Sequence, residues 1–220
     1  MERKIVFAQG QYYHVYNRGV EKRDIFLDDG DYKRFQRLLY IANGKQPVIY
    51  KLIQGSTLES IERGDQQTAI GAYVLMPNHF HLLVKEVRKG GITEFLRKLT
   101  TGYSMYFNKK YERVGALFQG TFKAKHIDRD EHLKYLFAYI HLNPIKLIES
   151  KWKESGIHNI VRAKKFIAEY HYSSYPDCIG MERAEKIILS PVEFPEYFED
   201  IQSFADFHRE WLQYKDDAGM

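Results

Sequence analysis

His79 and His81 stand two residues apart in the segment Met76-Pro77-Asn78-His79-Phe80-His81-Leu82-Leu83-Val84. On a β-strand, residues two apart face the same side. The two imidazoles can therefore share one cation, while Phe80 turns the other way into a core. Neutral imidazole is a common ligand for divalent metals, and a rigid strand lowers the cost of ordering the pair. The competing explanation is packing, since a histidine among apolar residues is more often a hydrogen-bonded core side chain. Two such histidines on one strand face are harder to explain that way.

A second candidate set lies in Lys134-Tyr135-Leu136-Phe137-Ala138-Tyr139-Ile140-His141-Leu142-Asn143-Pro144. On a helix, Tyr135, Tyr139 and Asn143 fall at i, i+4 and i+8 and form one stripe. Leu133, Leu136, Phe137 and Ile140 supply the apolar face. A tyrosine on that stripe can reach a phosphate, and Asn143, one turn on, can offer an oxygen to a metal. With 17 tyrosines in the chain, packing is the ordinary role for any one of them. His126 and His141 are further candidates as proton carriers or phosphate contacts, with packing or exposure the plainer role for each.

Other histidine chemistries fit less well. A histidine-triad hydrolase needs H-x-H-x-H, but the third position is Leu83. The H-E-x-x-H helix of a zincin is absent, as is the G-x-x-x-x-G-K loop of ATP-driven chemistry. A cupin would need a nearly all-β chain. Cys178 is the sole cysteine, which excludes an intrachain disulfide and a cysteine-based zinc site.

The elements that must position these residues are legible in outline. Strands are expected at 12–17, 69–76 and 79–87, the last two forming a hairpin across Pro77-Asn78. A helix is expected at 29–42, capped by Asp29 or Asp31 and ended by Gly44. Residues 48–53 read as a strand and 56–63 as a short helix. After Gly90-Gly91, apolar residues at helical spacing predict a helix from 92 to 106 or a little beyond. Residues 117–127 alternate like a strand. Asp128 and Glu131 then form a plausible capping box for a helix running to about Leu142, stopped by Asn143-Pro144. This order fits an antiparallel sheet packed on helices, an α+β fold. From Glu149 onward the pattern weakens into a mostly helical extension.

The chain has 220 residues and a net charge of +4, unevenly spread. Between Lys85 and Lys125 ten bases stand against three acids, whereas from Ser190 to Met220 eight acids stand against two bases. That asymmetry suggests a basic binding surface and an acidic tail, with solvated helix faces the plainer alternative. No apolar run is long enough to span a membrane. The start lacks the apolar stretch of a signal peptide, so a cytoplasmic location is expected.

Taken together and in this order, the segments resemble the single-tyrosine HUH transposases, especially those associated with repetitive extragenic palindromes. Besides the two motifs above, the resemblance is carried by Tyr13-His14-Val15-Tyr16-Asn17-Arg18-Gly19, Ile25-Phe26-Leu27, Asp31-Tyr32 with Phe35, Phe118-Gln119-Gly120-Thr121-Phe122 and Tyr172-Ser173-Ser174-Tyr175. It covers about residues 12–175. The segment 46–67 is longer than the family's usual link, and the tail beyond Tyr175 matches poorly.

The resemblance implies a ferredoxin-like core, with residues 1–148 as the catalytic domain and 149–220 as an extension packed on or following it. It implies that His79, His81 and Asn143 bind Mg²⁺ or Mn²⁺, and that Tyr139 is the nucleophile of a single-stranded DNA strand transferase acting at hairpin-associated sites. Arg18, Lys22, Arg23, Arg97, Lys98, Lys109, Lys110, Lys123 and Lys125 are the candidate DNA contacts. A homodimer is compatible with the sequence. Two alternatives stay open at this stage: a domesticated protein that binds DNA hairpins without cutting, and a metal-dependent phosphodiesterase using water.

Overall fold

The computed structural model describes residues 5–195, together with 197 and 206. Four strands form one antiparallel sheet: β1 (Tyr12–Arg18), β2 (Thr68–Met76), β3 (His79–Glu86) and β4 (Lys123–Ile127), in the order β2-β3-β1-β4. Helix α1 (Asp29–Ile41) links β1 to β2, and α2 (Gly91–Lys110) links β3 to β4. Each crossover skips over one strand, which is the ferredoxin-like arrangement within the expected α+β class. Helix α3 (Asp130–Leu142) follows β4 and packs on β2, β3 and β4.

The two sheet faces carry different jobs because side chains alternate along each strand. Tyr13, Val15, Phe80, Leu82 and Val84 point to the α1/α2 side, where they join Phe35, Phe95, Leu99 and Tyr103 in the main core. The opposite face buries Ala72, Val74 and Leu83 against Leu133, Leu136, Phe137 and Ile140 of α3. The cross-strand register pairs Arg18 with His79, Tyr16 with His81 and His14 with Leu83, so His14, Tyr16, Arg18, His79 and His81 share this second face.

Several local expectations need correction. Asp28, not Asp29 or Asp31, caps α1, its carboxylate accepting the Asp31 N–H in a reciprocal capping box. The helix after residue 90 runs from Gly91 to Lys110, about one turn beyond Tyr106, as the spacing allowed. Residues 48–53 are not a strand: they end in a 3₁₀ turn, Tyr50–Ile53, with Ile49 and Leu52 exposed. The outer edge of β2 is already taken by a later stretch of chain. Nor do residues 56–63 form a helix; they run as turns held by buried Leu58 and Ile61. Only the last five residues of the alternating stretch 117–127, Lys123–Ile127, pair as a strand. Asp128 does not cap α3, whose N-cap is Arg129 without a side-chain bond; Asp128 instead lies 3.7 Å from His132.

The outer edge of β2 is covered by a later stretch of chain. Leu75 N–H donates to Tyr172 O, Ser174 N–H to Tyr73 O and Ser190 N–H to Ile70 O. An uncovered edge would present a row of unpaired backbone groups. Between Leu142 and this cover run a 3₁₀ turn, Asn143–Leu147, then helices α4 (Trp152–Ser155) and α5 (Ile160–Glu169), with α6 (Tyr175–Cys178) just after. Ala163, Ile167 and Tyr175 pack with Ala138, Leu142 and Ile145, tying the extension to a second face of α3, apart from the one on the sheet. No described helix is long and apolar enough to cross a membrane. Most of the acidic run after residue 195 lies outside the described residues.

Candidate active site

The structure brings the two sequence motifs together. β3 presents His79 and His81 from the centre of the sheet, and α3 crosses the same face. The His79 and His81 ring centroids lie 5.0 Å apart, and the Tyr139 ring stands edge-on to His81 at 5.4 Å. Tyr139 is hydrogen-bonded to the Asn143 side chain one turn on. Tyr135 stacks on Tyr139 at 6.1 Å, continuing the stripe expected from their spacing. His79, Tyr139 and Asn143 line one small pocket of about 120 Å³, together with Lys146, Ser150, Trp152 and Glu154.

The histidines are held in a form suited to ligation. Asn78 Nδ2 donates to Lys22 O at 3.1 Å, and a carbonyl takes only a donor, so Asn78 Oδ1 faces His79. That oxygen lies 2.6 Å from His79 Nδ1, which must therefore carry the ring proton, leaving the lone pair on Nε2. Lys22 itself sits in a tight left-handed turn with Glu21, at φ of 61° and 56°. His81 Nδ1 lies 2.8 Å from His14 Nε2, a contact in which either ring can hold the shared proton. With the proton on His81, its Nε2 is also bare.

Burial sets the charge state. It pushes the His79 pKa down to about 4, helped by the positive charges of Lys146 and Arg18. His14 is lowered to about 4 by burial and then by Lys125. Both rings are neutral at pH 7. For Tyr139 burial raises the phenol above its ordinary value, the Asn143 hydrogen bond lowers it, and Tyr16 raises it further.

Among the described residues no cluster of three or more His, Cys, Asp or Glu side chains is arranged to hold a metal. A cation here would draw on the His79 and His81 imidazoles and the Asn143 amide oxygen. Two imidazoles and one amide oxygen, without thiolate, form a borderline donor set open to a first-row divalent cation.

The nine basic candidates divide between two sides of the molecule. Arg18, Lys123 and Lys125 lie on the histidine face, the last two on strand β4, opposite Tyr16 and His14. Lys22 and Arg23 border the turn that holds Asn78, with Arg23 paired to Glu21 at 3.2 Å. Arg97, Lys98, Lys109 and Lys110 lie on α2, which packs on the other face. Arg97 and Lys98 are paired with Glu94, and Lys110 with Asp28 and with buried Asp31. His126 meets Gln11 at the surface, while His141 is fully buried 2.9 Å from Ser174 Oγ.

Sequence reasoning missed His14, Asn78 and Lys146 as members of the site. His14 shares a face with His81 only through the β1–β3 register, which no local pattern reveals. Asn78 was legible as a turn residue, but its bond to His79 depends on the distant Lys22 carbonyl. Lys146 carried a signal, at i+3 from Asn143 and i+7 from Tyr139.

Three comparisons bear on the chain. A family model described as "Transposase IS200 like" matches residues 9–143. No curated protein matches it. A solved structure described as "Structure of the REP associates tyrosine transposase bound to a REP hairpin" is 16% identical, with a TM-score of 0.48, covering 84% of this chain and 90% of that one.

Proposed function

The chain belongs to the IS200-like transposase family, and from that premise we propose that it cuts and rejoins single-stranded DNA with Tyr139 as nucleophile. The observation that carries this reading is the shared pocket of Tyr139, His79 and Asn143, with His81 against the tyrosine ring. A phenol beside two imidazoles and an amide oxygen, at a pocket of phosphate size, suits attack on phosphorus.

In the proposed step Tyr139 Oη attacks a phosphodiester in line. The new O–P bond replaces the bond to the 3′ oxygen, which leaves as a hydroxyl, and the DNA stays attached through a 5′-phosphotyrosine. Bond energy is retained in that link, so a second DNA hydroxyl can reverse the step without ATP. His79, His81 and Asn143 would hold Mg²⁺ or Mn²⁺, which when bound polarises the phosphate and offsets developing charge. The Asn78 bond keeps His79 Nε2 turned into the site. The Asn143 bond orients the phenol and opposes the rise in its pKa from burial.

On this reading the DNA crosses the histidine face, where Arg18, Lys123 and Lys125 meet its phosphates, with Lys22 alongside. A hairpin next to the cleavage site is the proposed target. Binding through several such contacts should weaken steeply with added salt.

The test is formation of a denaturation-resistant protein–DNA band on labelled single-stranded oligonucleotides bearing hairpins, with Mg²⁺ or Mn²⁺. Tyr139→Phe should abolish the band and keep DNA binding. A band that survives the substitution removes Tyr139 from its role. Binding without any band favours a non-cleaving hairpin binder, and turnover without a band favours a phosphodiesterase using water.

A further inference from the structure

We propose that Lys146 is a further catalytic residue, whose ammonium contacts a non-bridging oxygen of the phosphodiester that Tyr139 attacks. This rests on the reading of Tyr139 as nucleophile.

The case begins with spacing. Tyr139, Asn143 and Lys146 stand at i, i+4 and i+7, positions that return to one face of a continuous helix. α3 ends at Leu142 and passes directly into the 3₁₀ turn Asn143–Leu147, with Leu142 and Asn143 still in helical geometry. Pro144 suits the start of that turn, where its missing N–H costs nothing. In a 3₁₀ turn residues three apart lie one above the other. Lys146 is thus carried over Asn143, and it lines the pocket with His79, Tyr139, Trp152 and Glu154.

The ammonium is also uncommitted. Lys85, Lys110 and Lys134 are held by Glu193, by Asp28 and Asp31, and by Asp130. Among the described residues no carboxylate comes within ion-pair distance of Lys146, and Glu154 shares its pocket without pairing to it. A cation kept unpaired in a phosphate-sized pocket beside the nucleophile has an anion as its natural partner.

During attack, negative charge builds on the non-bridging oxygens as the Tyr139 O–P bond forms and the 3′ O–P bond breaks. The phenolic proton passes to water and the leaving 3′ oxygen takes one from water, while Lys146 stays protonated throughout. An ammonium at that position favours the transition state over the ground state and so raises the rate rather than affinity alone.

The experiment measures single-turnover adduct formation at saturating hairpin-bearing oligonucleotide with Mn²⁺, for the wild type, Lys146→Met and Lys146→Arg. The cleavage position is mapped first with the wild type, and each protein is then given either the natural phosphodiester or a methylphosphonate at that position. The expected result is a slowing of roughly 100-fold for Lys146→Met on the phosphodiester, most of the rate restored in Lys146→Arg, and a far smaller change in hairpin affinity. On the methylphosphonate, which lacks the non-bridging charge, Lys146→Met and the wild type should react alike. An equal penalty on both substrates, or wild-type rate for Lys146→Met on the natural one, overturns the assignment while leaving Tyr139 in place. Absence of any Tyr139-dependent adduct in the wild type removes the nucleophile reading, and this inference with it.

Discussion

Ser174→Ala should destabilise the protein well beyond the loss of one hydroxyl. Ser174 Oγ is fully buried and accepts the Tyr73 N–H at 2.9 Å. It lies 2.9 Å from His141 Nε2, and its own proton points to Tyr73 O at 3.3 Å. With the His141 Nε2–H donating, the alanine removes an acceptor that two buried donors use. Each such group costs about 1–3 kcal/mol. Relief from burying the hydroxyl itself offsets part of this, so the net loss should be about 2–4 kcal/mol. For a chain of this size each kcal/mol lowers Tm by about 2–4 °C, which places the expected fall at about 5–15 °C. His141 sits on α3 between Tyr139 and Asn143, so adduct formation should also slow at temperatures far below the new Tm. Thermal unfolding followed by circular dichroism reads the first effect, and single-turnover kinetics at 20 °C (about 293 K) the second. A Tm within about 2 °C of the wild type, a shift below one kcal/mol, would refute the idea that this contact pins the late segment and α3 to the sheet.

Two other outcomes are expected. Asn78→Ala removes the acceptor that keeps the His79 proton on Nδ1 and should weaken Mn²⁺ binding by about 10- to 100-fold; titration calorimetry showing unchanged affinity would rule that role out. Stability of the metal-free protein should fall as pH drops. The folded-state pKa values of His14 and His79 lie at about 4, below the ordinary 6.5, so the unfolded chain takes up protons first. Their contribution is fully present above pH 6.5 and is lost progressively between 6.5 and about 4; a flat Tm across that window would contradict the burial of the two neutral rings.

Much of the site was legible because it rests on local periodicity. His79 and His81 share a face through strand alternation alone, and the stripe from Tyr135 to Asn143 follows from helical spacing. The α+β order came from turn signals at Pro77-Asn78 and Gly90-Gly91 and from apolar spacing in α2 and α3. What failed depended on tertiary competition. Val48 to Ile53 has strand-like composition, but Tyr172 to Ser174 occupies the edge it would need. Asp128 sits at a capping distance from Glu131, yet its carboxylate faces His132. The basic run between Lys85 and Lys125 looked like one surface, whereas the sheet separates α2 from β4. His14 stayed unseen because a register is a property of two strands.

The cover on the outer edge of β2 has a consequence for synthesis. Every motif of the matched region, 9–143, has been made before Tyr172 and Ser174 leave the ribosome. Until they do, the nascent chain carries Tyr139 and both imidazoles beside a bare strand, open to pairing with a neighbouring copy on the same message. Completion of the late segment therefore closes off misassembly at the moment it clamps the tyrosine helix, coupling solubility to readiness for chemistry.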